Sequence, residues 1–229
     1  TFVHTPTTAL ALVAGELVEA ERALHAILAE SVPAVTEVCD YLASAGGKRF
    51  RPALTALGAR AIGVTVSPEF LCVSELIHLG SLLHDDVIDG AHTRRGKEAA
   101  NIRYGNGVAV LSGDYCLAKA VFIAAKEGSY QAVTALGEAV TCMAEGEVLQ
   151  LQREGNLGVS LEEYLEVVER KSAALISWAA AAAAHKVDDA VAVTALTRFG
   201  RAAGIAFQIT DDVLDFSEGT GKPTGGDIR

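Results

Sequence analysis

Residues 82–96 read LLHDDVIDGAHTRRG and residues 207–216 read FQITDDVLDF, so one pentad, DDxxD, occurs twice in the chain. On a helix its three aspartates fall at about 0°, 100° and 40°, within roughly a quarter of the circumference. Like charges at that spacing repel by roughly a few tenths of a kcal/mol per exposed pair. Both pentads also sit near expected helix C-termini, where the backbone dipole disfavours negative charge. Either pentad alone would suit a solvated acidic face; together they call for a compensating cation.

The flanking residues sharpen this expectation. Around the first pentad, Cys72, Leu76, Leu79 and Leu83 make one apolar stripe, and His78, Asp85 and Asp89 share the other side. Around the second, Gln208, Asp211, Asp212 and Asp215 share one face, with Ala202, Ala206, Ile209 and Val213 opposite. Two largely apolar helices with one polar stripe each suit the lining of a shared interior cavity. Aspartate oxygens without histidine or thiolate partners favour a hard cation, and room for water and phosphate favours magnesium. Calcium fits less well, because neither pentad lies in a twelve-residue loop with a later glutamate.

The rest of the chain sets the frame. With 229 residues, 50% hydrophobic and 21% charged, and only five prolines, it is neither disordered nor collagen-like and can bury a core. A formal net charge of −10 excludes general attraction to nucleic acid or an anionic membrane, so any polyanion has to be held locally. Three basic clusters can do this: Lys48 and Arg51 in GGKRFRP (46–52), Arg94 and Arg95 just after the first pentad, and Lys222 after the second. The first is not a GxxxxGK[ST] loop, which disfavours a P-loop nucleotide site. Cysteines 39, 72, 116 and 142 lack zinc or disulfide spacing and read as buried thiols of a reducing compartment.

Apolar residues recur with period 3.6, so the expected fold is all-α, with helices over roughly 7–30, 34–45, 51–63, 68–89, 106–126, 129–153, 160–184 and 189–217. Ser160 with Glu163 predicts a capping box, and Gly90 a helix stop. Trp178 is expected in the core and His25 and His185 at the surface; Tyr41 and Tyr164 carry no decisive context. The longest apolar run, Leu175–Ala184, is too short to span a bilayer, so no transmembrane segment and a cytoplasmic location are expected. The chain starts without methionine and stops in the glycine-rich GGDIR, which reads as the middle of a loop with a natural end lost.

GGKRFRP, LLHDDVIDGAHTRRG, GDY (113–115), EGEVLQL (145–151), Lys171 and FQITDDVLDF in this order closely resemble the trans-isoprenyl diphosphate synthases, or polyprenyl synthetases, from Gly46 to Arg229. The resemblance implies an isoprenoid-synthase-type helical bundle around a central cavity, usually a homodimer. It implies extension of an allylic diphosphate by isopentenyl diphosphate, with three magnesium ions per site. Lys48, Arg51, His78 and Arg95 would hold isopentenyl diphosphate, and Arg94 the allylic diphosphate. Asp85, Asp89 and Asp211 would be the main magnesium ligands, supported by Asp86, Asp212 and Asp215. Lys171, Ser172, Gln208 and Lys222 would surround the allylic substrate and its departing diphosphate. Gly80 and Ser81 stand where aromatic residues stop chain growth, so a product longer than farnesyl is expected. His92 and Ser172 depart from the family's usual acidic residue and threonine. Family members continue past GKPTGGDIR, so residues 1–229 are expected to be one all-helical domain lacking its C-terminal helices. The rival readings are a non-catalytic subunit of a heteromeric prenyl synthase, and a terpene cyclase, which would have no use for Lys48, Arg51 and His78.

Overall fold

A computed structural model describes residues 6–47, 49–94 and 96–215, with side chains from 9 to 214 in those ranges. Helix α1 (Pro6–Leu12) and α2 (Ala14–Ala29) replace the single helix expected over 7–30. The chain turns at the buried Val13, whose ψ of 17° is outside the helical range. Helix α3 (Pro33–Ala43) starts on a proline at its first position, where the missing N–H costs nothing. Helix α4 (Phe50–Ala61) follows the GGKR turn.

The helix expected over 68–89 is likewise two, α5 (Pro68–Leu71) and α6 (Val73–Ile88), separated at Cys72. Ser67 starts α5 by accepting the Phe70 N–H at 3.1 Å. Gly90 ends α6 as expected: its φ is +58°, its N–H reaches Val87 O at 3.3 Å and that of Ala91 reaches Asp86 O at 2.9 Å. This is a Schellman closure. A two-residue antiparallel hairpin, β1 (Thr93–Arg94) and β2 (Lys97–Glu98), and the short α7 (Ala100–Tyr104) were not anticipated.

Helices α8 (Asn106–Glu127) and α9 (Tyr130–Arg153) follow, the latter capped by Ser129 Oγ on the Ala132 N–H at 3.1 Å. The capping box of α10 (Leu161–Val168) is complete: the Glu163 N–H donates to Ser160 Oγ at 3.2 Å and the Ser160 N–H to Glu163 Oε2 at 2.8 Å. The helix expected over 160–184 then widens into a π-helical turn, Glu169–Ala173, before α11 (Ala174–Lys186). Helix α12 (Ala190–Asp215) closes the described chain.

Helix α11 is the centre of the packing: every residue from Leu175 to Ala184 is buried. Its alanines let neighbours approach closely. A Cβ at Gly200 of α12 would stand 2.7 Å from the Ser177 Cα, so only glycine fits there. Trp178 is core, as expected, and its indole N–H donates to Ala132 O at 3.1 Å. His185 is half-buried rather than at the surface, and burial lowers its pKa. All four cysteines are free thiols, three buried and Cys142 half-buried.

Helices α8 and α12 are each long and apolar enough, by length and composition, to cross a membrane, a property the contiguous-run criterion overlooked. Both are bundle helices here. Helix α8 packs on α6 through Gly113 and Cys116, and α12 on α11 through Gly200.

Candidate active site

The first pentad closes α6 with its three carboxylates at three depths: Asp85 is half-buried, Asp86 fully buried and Asp89 exposed. Behind them Cys72, Leu76, Leu79 and Leu83 are all at most 1% exposed, so the apolar stripe is the core face and the polar stripe the open one. The turn at Gly90 brings the β1–β2 hairpin back over the helix end. Arg94 thereby donates from Nε to Asp86 Oδ1 at 2.7 Å, with its NH2 group also at 2.7 Å. Burial raises the Asp86 pKa and Arg94 opposes the rise. Asp86 is thus already engaged by the Arg94 guanidinium, which ties the hairpin to the aspartate helix.

Asp85 lies in a partly dry position among charges of both signs. Burial, then the Glu147 charge, push its pKa up to about 6, against the pull of Lys171 and Arg94. Glu147 and Lys171 form an ion pair, Nζ–Oε2 2.7 Å. Two backbone features create that pair. The π turn carries Lys171 toward α9, and Gly146 leaves room: a Cβ there would stand 2.6 Å from the Lys171 nitrogen and 2.8 Å from the Arg170 Cβ. The EGEVLQL run was noted in the sequence without a role for Glu147; only the fold reveals its partner.

The π turn also faces α12. At Gly204 a Cβ would come within 2.6 Å of the Ala173 Cα, so the two backbones nearly touch. A chain of hydrogen bonds follows: Ser172 Oγ donates to Gln208 Oε1 at 2.6 Å, Gln208 Nε2 donates to Asp212 Oδ1 at 2.7 Å, and the Tyr164 hydroxyl donates to Asp212 Oδ2. Burial, then Asp212, push the Tyr164 pKa up to about 12, so the phenol keeps its proton. Sequence reasoning gave Tyr164 no context because its partner lies 48 residues away. Asp211 is half-buried on the same face. The apolar face opposite differs from expectation: Ala202, Ala206, Ile209 and Val213 are exposed rather than buried.

On the GGKRFRP side, Arg51 is half-buried in the first turn of α4 and His78 half-buried on α6. Phe50 stacks on Phe207 with centroids 5.1 Å apart and planes 11° from parallel, which joins this turn to the second-pentad helix beside Gln208. Arg49 adopts a left-handed conformation, φ 46°, which costs an L-residue about 1–2 kcal/mol. Its guanidinium pairs with Glu21 at 2.6 Å and Glu75 at 2.8 Å.

Ser81 is half-buried one turn before Asp85, and its hydroxyl donates to His78 O at 2.9 Å. Gly80 instead faces α8, where a Cβ would meet Gly113 O at 3.0 Å, so its smallness serves the α6–α8 approach. Gly113, the glycine of GDY, is required in turn by the ring of His84, which hydrogen-bonds Val110 O at 3.1 Å. Lys48, Arg95, Lys222 and the Asp215 side chain lie outside the described residues.

The donor set fits a hard cation: Asp85, Asp89, Asp211 and Asp212 supply only carboxylate oxygens. Among the described residues no three histidine, cysteine, aspartate or glutamate side chains converge into a ready-made metal cage. Sites completed by water and phosphate oxygens have this form, and magnesium favours it.

A helical bundle in which two aspartate pentads meet a lysine-bearing π turn has the isoprenoid-synthase fold. Residues 32–229 match the family model described as polyprenyl synthetase, and the chain belongs to that family. It is 38% identical over 207 residues to octaprenyl diphosphate synthase of Haemophilus influenzae, covering 88% of this chain and 63% of that one. It is 40% identical over 200 residues to nonaprenyl diphosphate synthase of Mycobacterium tuberculosis, covering 82% and 58%. The chain thus spans less than two thirds of the length of these relatives. A polyprenyl synthase from Caulobacter crescentus, complexed with calcium and isoprenyl diphosphate, superposes with a TM-score of 0.91 at 34% identity, over 100% of this chain and 72% of that one.

Proposed function

We propose that the protein is a trans-prenyltransferase that condenses isopentenyl diphosphate with an allylic diphosphate and makes a product longer than farnesyl. The observation that carries this reading is the single polar seam from Asp85 through Glu147 and Lys171 to Ser172, Gln208 and Asp212. Carboxylates for a cation and a lysine for a diphosphate stand together there.

Asp85, Asp89 and Asp211 would hold magnesium, three ions per site, with Asp212 held by Tyr164 and Gln208 and Asp86 held by Arg94. When bound, magnesium supplies Lewis-acid neutralisation of charge on the diphosphate. Lys171 and Lys222 offer their ammonium groups to the leaving diphosphate, and Arg94 its guanidinium beside the pair with Asp86. Charge neutralised there lets the allylic C–O bond ionise. Arg51, His78, Lys48 and Arg95 orient isopentenyl diphosphate so that its double bond attacks the allylic carbon; the proton lost afterwards passes to the released pyrophosphate. Small side chains below Asp85, Ser81 above all, leave the growing chain room. The relatives' names, octaprenyl and nonaprenyl synthase, support the same direction of length.

We further read the protein as a homodimer. Leu111, Val121 and Phe122, 46–64% exposed, share one apolar face of α8 with the exposed Ala118 and Ala125, and contiguous exposed apolar faces mark interaction surfaces. Four free thiols, with Cys39 and Cys116 sharing a thiol hydrogen bond at 3.6 Å, support a reducing, cytoplasmic setting.

The test is an assay with magnesium, labelled isopentenyl diphosphate and a panel of allylic primers, products separated by length, and Asp85→Ala as control. Magnesium-dependent products longer than farnesyl, lost in the control, support the reading. Hydrocarbon released from an allylic diphosphate alone would make the protein a cyclase, and no turnover at all a non-catalytic subunit.

A further inference from the structure

Arg49 is the basic residue of GGKRFRP to which the resemblance gives no role, yet its side chain is only 12% exposed. Its Nε and Nη2 donate to the two oxygens of Glu21 on α2 at 2.6 and 2.7 Å. Its Nη1 donates to Glu75 on α6 at 2.8 Å, and Nη2 also donates to Ala43 O, at the end of α3, at 3.1 Å. Glu75 is buried, so one guanidinium ties three helices together at the point where the chain enters α4. The fork geometry matters, since a lysine cannot serve three acceptors on separate elements in this way.

The backbone at this residue is the start of α4. Position 49 is left-handed, and its carbonyl accepts the Ala53 N–H at 3.0 Å, the first helical hydrogen bond. Arg51 lies in that first turn and Pro52 stiffens it. A rotation at residue 49 therefore moves Arg51 as part of a rigid turn, together with Phe50 and its stack on Phe207.

We propose that Arg49 is a positioning residue for isopentenyl diphosphate: clamped between Glu21 and Glu75, it holds the left-handed turn that sets where Arg51 presents its guanidinium. This rests on the prenyltransferase reading above. Arg49 does not touch substrate; it acts through Arg51.

The experiment compares the intact protein with Arg49→Gln and Glu21→Gln in steady-state kinetics, and in calorimetric binding of isopentenyl diphosphate. In Arg49→Gln the KM and Kd for isopentenyl diphosphate rise about tenfold, the scale expected of a small misplacement of a binding group, while kcat and the allylic KM stay within about twofold. Should Arg49→Gln fail to fold, Glu21→Gln keeps the Glu75 pair and gives a shift of about threefold in the same constants. A merely structural role would lower the active fraction, and hence kcat, with KM and Kd for isopentenyl diphosphate unmoved. That pattern, with an active parent protein, overturns the positioning role alone. A parent protein that turns nothing over overturns the prenyltransferase reading and this inference with it.

Discussion

The backbone of Gly146 in α9 runs so close to Lys171 that a Cβ on the glycine would stand 2.6 Å from the lysine's backbone nitrogen. The π turn and the glycine are two halves of one device, which delivers an ammonium to Glu147 and the edge of Asp85. Gly146→Ala gains about 1 kcal/mol of helix propensity. Against this stands a clash with backbone, and overpacking of that kind costs about 1–3 kcal/mol. The π turn is expected to shift outward. A Tm lowered by a few degrees and kcat lowered at least tenfold are predicted; an alanine variant with full kcat would show that the close approach has no catalytic consequence.

Tyr164 donates to Asp212 from a different helix, and Phe in its place keeps the ring and removes the hydroxyl. Hydrogen bonds to charged groups are worth about 1.5–3 kcal/mol, and supporting partners of metal ligands affect metal affinity by about 10–100-fold. In Tyr164→Phe the magnesium concentration for half-maximal activity should rise about tenfold with the far-ultraviolet circular dichroism unchanged. An unshifted magnesium titration would remove Tyr164 from the site.

Asp85 makes stability depend on pH in the direction opposite to a salt-bridged aspartate. Its folded-state pKa, about 6, lies above the ordinary value of 3.8, so between those values the folded protein binds more protons than the unfolded chain. Without metal, stability is therefore fully supported below about pH 4 at this group and falls as pH rises through 6, with a contribution of order a kcal/mol or more. Magnesium needs the carboxylate, so its affinity should fall as pH drops below 6. Urea melts of metal-free protein at pH 4.5 to 7, with Asp85→Asn as comparison, check this: the variant should lose the Asp85 part of the slope.

Ser81 and Gly80 are expected to respond differently to enlargement. Ser81→Phe fills space one turn below Asp85 and should shorten the main product, read by chromatography of the dephosphorylated prenols. Gly80→Ala meets Gly113 O at 3.0 Å, so it should act first on stability, with a loss of roughly 1 kcal/mol in denaturant melts. An unchanged product pattern in Ser81→Phe would end the chain-length role of that position.

What the sequence determined on its own is what local periodicity and local chemistry can encode. The 3.6 repeat set the apolar stripe Cys72–Leu76–Leu79–Leu83 against the His78–Asp85–Asp89 stripe, and the bundle kept them apart in that way. Ser160 with Glu163, and Gly90, are signals whose partners lie within five residues, and each formed as read. The breaks at Val13 and Cys72 and the π turn at 169–173 were not legible, because uninterrupted apolar periodicity carries no mark of a backbone adjusting to its neighbours. The same holds for the pairs Arg94–Asp86, Lys171–Glu147 and Tyr164–Asp212, and for Arg49 between Glu21 and Glu75. Each joins separate elements, and which of several nearby charges pair is decided by how closely glycines such as 146 and 204 let those elements approach. Residue type can announce that acids and bases are present; the distances that turn them into a site exist only once the helices are packed.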